Sequence, residues 1–235
     1  MIGIVLVSHS PQLAAAALAL EREMVPGDEP RVAVAAGTGD GLTGTDATRV
    51  AAAIAEVASP DGVLVLMDLG SAVLSAELAL EFAGDVGGEV RLSSAPVVEG
   101  LLAAVVRAAG GASLDEVDRE ARGALGAKEA QLGTAPAAPV AAPASTDGLE
   151  ERFIITNPEG LHARPASLLV SALGGLDARV TVATGDKKPV DGRSPIGLMA
   201  LGVRSGDEIV VTASGTQARD AMAAIGALVA DAFGE

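Results

Sequence analysis

The sequence predicts two domains in series: an α/β, doubly wound, mainly parallel sheet followed by an α+β open-faced sandwich. Three observations predict this. Over the first 130 residues, short apolar runs alternate with longer runs of helical period. Between residues 131 and 148 that rhythm stops in a Pro- and Ala-rich stretch. Beyond it the runs return, shorter and in an order suited to antiparallel pairing.

IGIVLVS is a continuous apolar run, as a parallel strand buried on both faces requires. PQLAAAALALEREM follows as a helix with Pro in its first turn. RVAVAAG is a second strand. TDATRVAAAIAEVA is a second helix, with Thr45 or Asp46 available as N-cap. GVLVLMDLGS and AVLSAELALEFAG supply a third strand and helix. GEVRLSSA is a fourth, weaker strand, and PVVEGLLAAVVRAAGG and SLDEVDREARGALGAKEAQL close domain 1–130 as helices. In such a sheet, ligands bind at the carboxyl ends of the strands, near the switch in strand order.

QLGTAPAAPVAAPASTDG, residues 131–148, has no apolar period and reads as a flexible interdomain linker. Fully extended, it would reach on the order of 50 Å at roughly 3.1 Å per residue. Domain 149–235 then opens with the strand ERFIITN and the helix ARPASLLVSALGGL. ARVTVAT and KKPVD form a hairpin across GDK. A short helix SPIGLMALGV, a strand DEIVVTAS and a last helix TQARDAMAAIGALVADAF complete the sandwich.

Composition narrows the function classes. The chain carries 31 acidic and 16 basic residues, a net charge of −15, which lacks the footprint of a nucleic-acid binder. Residues 1–149 hold 20 acidic against 8 basic residues and residues 150–235 hold 11 against 8, so the acidity is mainly N-terminal. There is no Cys, hence no disulfide or thiol nucleophile. The start MIGIVLVSHS lacks a basic n-region and long apolar h-region, and the greasiest helix is too short for a membrane span. A soluble, cytoplasmic chain is expected.

Only two histidines are present, His9 and His162. His9 follows the first strand, at the sheet's carboxyl edge. Asp68 ends the third strand and emerges at the same edge. A carboxylate there can hold one ring nitrogen and leave the other as a nucleophile. Ser71 and the segment Gly44, Thr45 and Asp46 precede helices and offer hydroxyls and amides to an anion. The ordinary alternative is a histidine that closes a loop. His162, in PEGLHARPA, directly precedes a helix, so a group on its ring would face unpaired amides and the positive end of the helix dipole. Arg164 adds a planar cation suited to phosphate, and Pro165 costs no bond in the first turn. The alternative there is an exposed cap beyond a turn made by Asn157, Pro158 and Gly160.

Ser194 reads first as an N-cap with Pro195 behind it, and second as a regulatory phosphorylation site. No P-loop is present. GDGLTG, residues 39–44, matches a dinucleotide-binding pattern but follows the second strand and not the first. No metal site is expected, because the two histidines lie in different domains.

NPEGLHARPASLLV and GRSPIGLMALGV closely resemble HPr, the phosphocarrier of the bacterial phosphotransferase system, across residues 150–235. The resemblance implies that His162 is phosphorylated, that Arg164 steadies the phosphoryl group, and that Ser194 occupies the regulatory position. S-P-I-G stands there in place of the usual S-I-M-G. VLVSHS, GTDA and VLMDLGSA resemble the enzyme IIA domain of the mannose class, with His9 phosphorylated and Asp68 as its partner.

IIA-like domain, linker and HPr-like domain in that order resemble the DhaM family, the phosphoryl-donor subunits of dihydroxyacetone kinases driven by phosphoenolpyruvate. That implies a relay: enzyme I to His162, His162 to His9, and His9 to ADP held on DhaL, for phosphorylation of dihydroxyacetone on DhaK. It implies no bound cofactor, phosphoenolpyruvate as ultimate donor, free HPr as a further donor, and a homodimer formed through the IIA-like domain. Some members continue into an enzyme I-like segment. This sequence stops at Glu235, so a separate enzyme I is expected. A regulator whose phosphohistidines report flux to a partner is the second reading.

Overall fold

Strand β1 (Gly3–Ser8) is buried along its whole length, as a continuous apolar run between two parallel neighbours must be. The computed structural model describes residues 1–25, 30–39, 41–133 and 148–235. These divide into two compact units, Met1–Ala124 and Leu125–Glu235.

In the first unit β1 is followed by α1 (Pro11–Met24), β2 (Val32–Ala36), α2 (Ala47–Glu56), β3 (Val63–Met67), α3 (Gly70–Ala83), β4 (Val90–Ser93), α4 (Val97–Ala109) and α5 (Leu114–Arg122). The sheet is wholly parallel, in the order β2-β1-β3-β4. The chain leaves β1 toward β2 on one side and returns past it to β3 on the other, so the topological switch lies between β1 and β3. Alternation sends Val5, Val7, Val63 and Val65 to one face, where they pack with Val50 and Ile54 of α2 and Ala72, Ala76 and Ala79 of α3. The intervening Ile4, Leu6, Leu64 and Leu66 are equally buried on the face covered by α1, α4 and α5. Each such side chain contributes about 1.5–3 kcal/mol by leaving water.

Caps begin the helices where the sequence offers them. Ser10 caps α1 with Pro11 at its first position, and Asp46, the second of the two candidates, caps α2. One predicted element splits. The run 113–132 forms α5 and then α6 (Gly126–Gln131), separated by a turn at 123–125. Gly123 and Gly126, three residues apart, supply too little helix propensity to carry one helix through. The division after Ala124 groups α6 with the second unit, whereas the sequence reading runs the first domain to 130. Of the linker reading 131–148, residues 134–147 lie outside the described residues.

The second unit continues with β5 (Leu149–Ile154), α7 (Ala163–Leu173), β6 (Arg179–Ala183), β7 (Val190–Asp191), α8 (Pro195–Ala200), β8 (Glu208–Ser214), α9 (Ala218–Ala230) and a 3-10 turn (Ala232–Gly234). Its sheet is antiparallel, in the order β5-β8-β6-β7. Strand β8 alternates as a one-sided sheet should: Ile209, Val211 and Ala213 are buried and their neighbours less so. They share a core with Val180 and Val182 of β6, Leu169 and Leu173 of α7, and Ile225 of α9. The hairpin partner β7 is only two residues long; Pro189, just before it, has no N–H to extend the ladder. This is the open-faced sandwich expected from the sequence.

Candidate functional site

The register Val7↔Met67 between β1 and β3 brings the next residues, Ser8-His9 and Asp68, to one point on the carboxyl edge. Asp68 Oδ1 is 2.8 Å from His9 Nδ1 and accepts the Leu69 N–H at 2.8 Å. Its Oδ2 accepts the His9 N–H at 2.8 Å and the Ser8 hydroxyl at 2.9 Å. Burial acts to raise the Asp68 pKa, but these bonds from His9, Ser8 and Leu69 outweigh it and hold the carboxyl below its ordinary value. An ionised Asp68 can only accept, so His9 Nδ1 carries the ring proton and Nε2 carries the lone pair. Ser71 Oγ lies 2.5 Å from Nε2 and donates to that lone pair. Ser71 stands in the first turn of α3, whose N-cap, Leu69, makes no side-chain capping bond. The positive end of a 14-residue helix therefore adjoins His9 Nε2.

The segment Gly44, Thr45 and Asp46 lies beside His9, but its groups are committed. Gly44 N–H donates to the His9 carbonyl at 2.9 Å, which fixes the loop. The Thr45 hydroxyl pairs with that of Ser75 at 2.7 Å. The Asp46 carboxylate accepts the Thr48 and Arg49 amides at the start of α2. Of the glycine pattern 39–44, residue 40 lies outside the described residues; the others follow the edge strand β2.

His162 is the N-cap of α7 and makes no capping bond with its own ring. The local chain is forced by Gly160. Its φ is +71°, and a Cβ there would lie 2.0 Å from the Val203 carbonyl oxygen. The turn is then closed by Leu161 N–H to Val203 O at 3.1 Å and His162 N–H to Gly160 O at 3.0 Å. His162 Nε2 lies 2.8 Å from Glu235 Oε1, while the buried Asn157 donates to Glu235 Oε2 at 3.1 Å and to Gly160 O at 2.8 Å. The carboxylate holds a proton on Nε2, so Nδ1 is the open nitrogen of the residue that precedes the first turn of α7. Arg164 is exposed in that first turn and enters none of the described hydrogen bonds or ion pairs.

Ser194 caps α8 by accepting the Gly197 N–H at 2.8 Å, the first of its two sequence readings. Sequence reasoning did not find Ser8 or Glu235, and it read Asn157 only as a turn residue. Ser8 could have been suspected as the one polar residue of an apolar strand. Glu235 lies 73 positions from His162 and carries no local signal. Among the described residues no group of three or more His, Cys, Asp or Glu could hold a metal ion. No described helix is long and apolar enough to cross a membrane.

Each unit thus holds one histidine with a ring nitrogen bonded to a carboxylate, next to a helix start in the chain. The family described as PTS system fructose IIA component matches residues 3–118, and that described as PTS HPr component phosphorylation site matches residues 149–231. The chain is thus a phosphoryl-transfer protein of the phosphotransferase system. It belongs to the DhaM family. It is 46% identical over its full length to the phosphoryl donor subunit DhaM of a PEP-dependent dihydroxyacetone kinase of Pantoea ananatis, and 41% identical to that of Escherichia coli K12. In each case it covers 51% of the relative, so it spans about half the length of these curated relatives. A DhaM from Listeria innocua is 40% identical over 108 residues, which make up 46% of this chain and 86% of that one.

Proposed function

We propose that the chain is a two-stop phosphohistidine relay for phosphorylation of dihydroxyacetone. Enzyme I, charged by phosphoenolpyruvate, phosphorylates His162. His162 passes the group to His9, and His9 passes it to ADP on DhaL, which serves dihydroxyacetone on DhaK. Free HPr can substitute for the first stop. The protein works in the cytoplasm as a homodimer formed through the IIA-like unit.

One observation carries this reading: the two carboxylates pin opposite nitrogens. Asp68 holds Nδ1 of His9, and Glu235 holds Nε2 of His162. The open atoms are therefore His162 Nδ1 and His9 Nε2. In the transfer between them, the Nδ1–P bond breaks as the Nε2–P bond forms. Each ring keeps its own proton on the pinned nitrogen, so the phosphorylated ring is an imidazolium facing a carboxylate, and it leaves as neutral imidazole. Ser71 and the start of α3 stabilise the phosphoryl oxygens on His9, as Arg164 and the start of α7 do on His162. The protein supplies position and charge, which is what loose phosphoryl transfer requires.

Incubation with enzyme I and radiolabelled phosphoenolpyruvate tests the relay. Acid-labile label is expected on both histidines, and label on neither would end the proposal. His162→Ala should block labelling of His9 by enzyme I alone, and added HPr should restore it. With DhaK and DhaL present, His9→Ala should abolish dihydroxyacetone phosphate formation; unchanged formation would leave only a regulatory role.

A further inference from the structure

We infer that Ser8 is a positioning residue of the His9 site and acts through Asp68. The inference rests on His9 being the phosphoryl acceptor of the first unit. Ser8 is the last residue of β1 and is wholly buried. The five residues before it, Gly-Ile-Val-Leu-Val, are apolar or lack a side chain, so packing alone would be served at least as well by an apolar residue. A hydroxyl at 0% exposure costs free energy unless it is bonded.

Its bonds are specific. Ser8 Oγ accepts the Ser10 N–H at 3.1 Å, and its single proton has two acceptors in reach: Asp68 Oδ2 at 2.9 Å and the Ser10 carbonyl at 3.2 Å. The nearer acceptor is also the charged one, so the proton goes to Asp68. The carboxylate then receives four donors, two on each oxygen. Two of them are backbone N–H groups of His9 and Leu69, and one is the His9 ring itself. Ser8 is thus the one side chain, apart from its client, that fixes the carboxylate's rotation about its Cβ–Cγ bond.

That rotation decides the chemistry of the ring. With Oδ1 aimed at Nδ1, the proton stays there and Nε2 keeps its lone pair. Without the Ser8 hydroxyl, Oδ2 retains only the His9 N–H, the carboxylate swings, and His9 gains population of the tautomer protonated at Nε2. That tautomer cannot attack phosphorus through Nε2.

Nitrogen-15 NMR of the histidine rings in the full chain reads the tautomer directly, alongside the initial rate of label transfer from phosphorylated HPr to His9. Ser8→Ala should raise the Nε2–H population and slow labelling about tenfold, the scale of losses when a residue orienting a site ligand is removed. Ser8→Cys, which keeps the volume but is a weak donor, should shift the tautomer in the same direction and carries the test if the alanine variant does not fold. In an Asp68→Asn background neither substitution should lower the rate further. A tautomer unchanged in both variants overturns the inference. So does an equal loss of rate with and without Asp68, because a merely structural serine would act in either background. If wild-type His9 takes no label, the relay reading fails, while the tautomer measurement still decides the part played by Ser8.

Discussion

Asp68 accepts four hydrogen bonds, and their combined effect is open to titration. Its pKa lies below the ordinary 3.8, with burial opposing the bonds from His9, Ser8 and Leu69 and losing to them. A carboxyl depressed in the folded state adds stability above its unfolded pKa and loses it as pH falls through the folded value. The melting-temperature gap between wild type and Asp68→Asn should therefore be largest above about pH 5 and narrow steadily at lower pH. A gap independent of pH would mean that the carboxylate is not stabilised by these bonds. The same substitution should slow labelling of His9 by about 10- to 100-fold, because the ring loses the acceptor that sets its tautomer. Glu235→Gln should have a milder effect on His162. The pair is part-exposed and worth no more than about 1 kcal/mol, so uptake from enzyme I should fall only a few-fold.

At the scale of elements, both histidines depend on how a strand or turn hands over to a helix. For His9, parallel pairing of β1 with β3 sets the handover, and any α/β sheet of this order offers the same edge. For His162 the handover is the turn at Gly160. Gly160→Ala adds a Cβ at a φ of +71° and against the Val203 carbonyl. It should destabilise the second unit by on the order of 1–3 kcal/mol in urea unfolding. It should impair uptake at His162 while leaving labelling of His9 by free HPr unchanged. Ser194→Ala removes the side-chain acceptor at the start of α8 and should cost about 1 kcal/mol. Elements also show where periodicity misleads. The run 113–132 is amphipathic enough to read as one helix, yet two glycines divide it.

Across the whole molecule, the two histidines belong to units with different sheets and different charge. Mixing His9→Ala and His162→Ala chains asks how they communicate. If transfer can pass between chains, the mixture with enzyme I regains label on the intact His9, whereas either variant alone does not. If it passes only within a chain, the mixture stays unlabelled at His9.

Fold class, the two histidines and the Asp68 partner were legible in the sequence because each rests on local order. An apolar run between parallel neighbours must end at a sheet edge, and a polar residue placed just beyond it must sit there. PEGLHARPA likewise announces a turn and a helix start. Tertiary structure decided which nitrogen of each ring is open. Glu235 reaches His162 because the chain turns back after α9 through Ala232 and Phe233, both at positive φ, with Phe233 buried. A left-handed turn at non-glycine residues is locally unfavourable, so the burial of Phe233 and the bonds made by Glu235 must support it, and no sequence period foretells it. Ser8 reaches Asp68 by the same kind of long-range closure, 60 residues apart across two strands. Proton placement on an imidazole follows from atoms a few ångströms away, whatever their separation along the chain, and so it belongs to the fold.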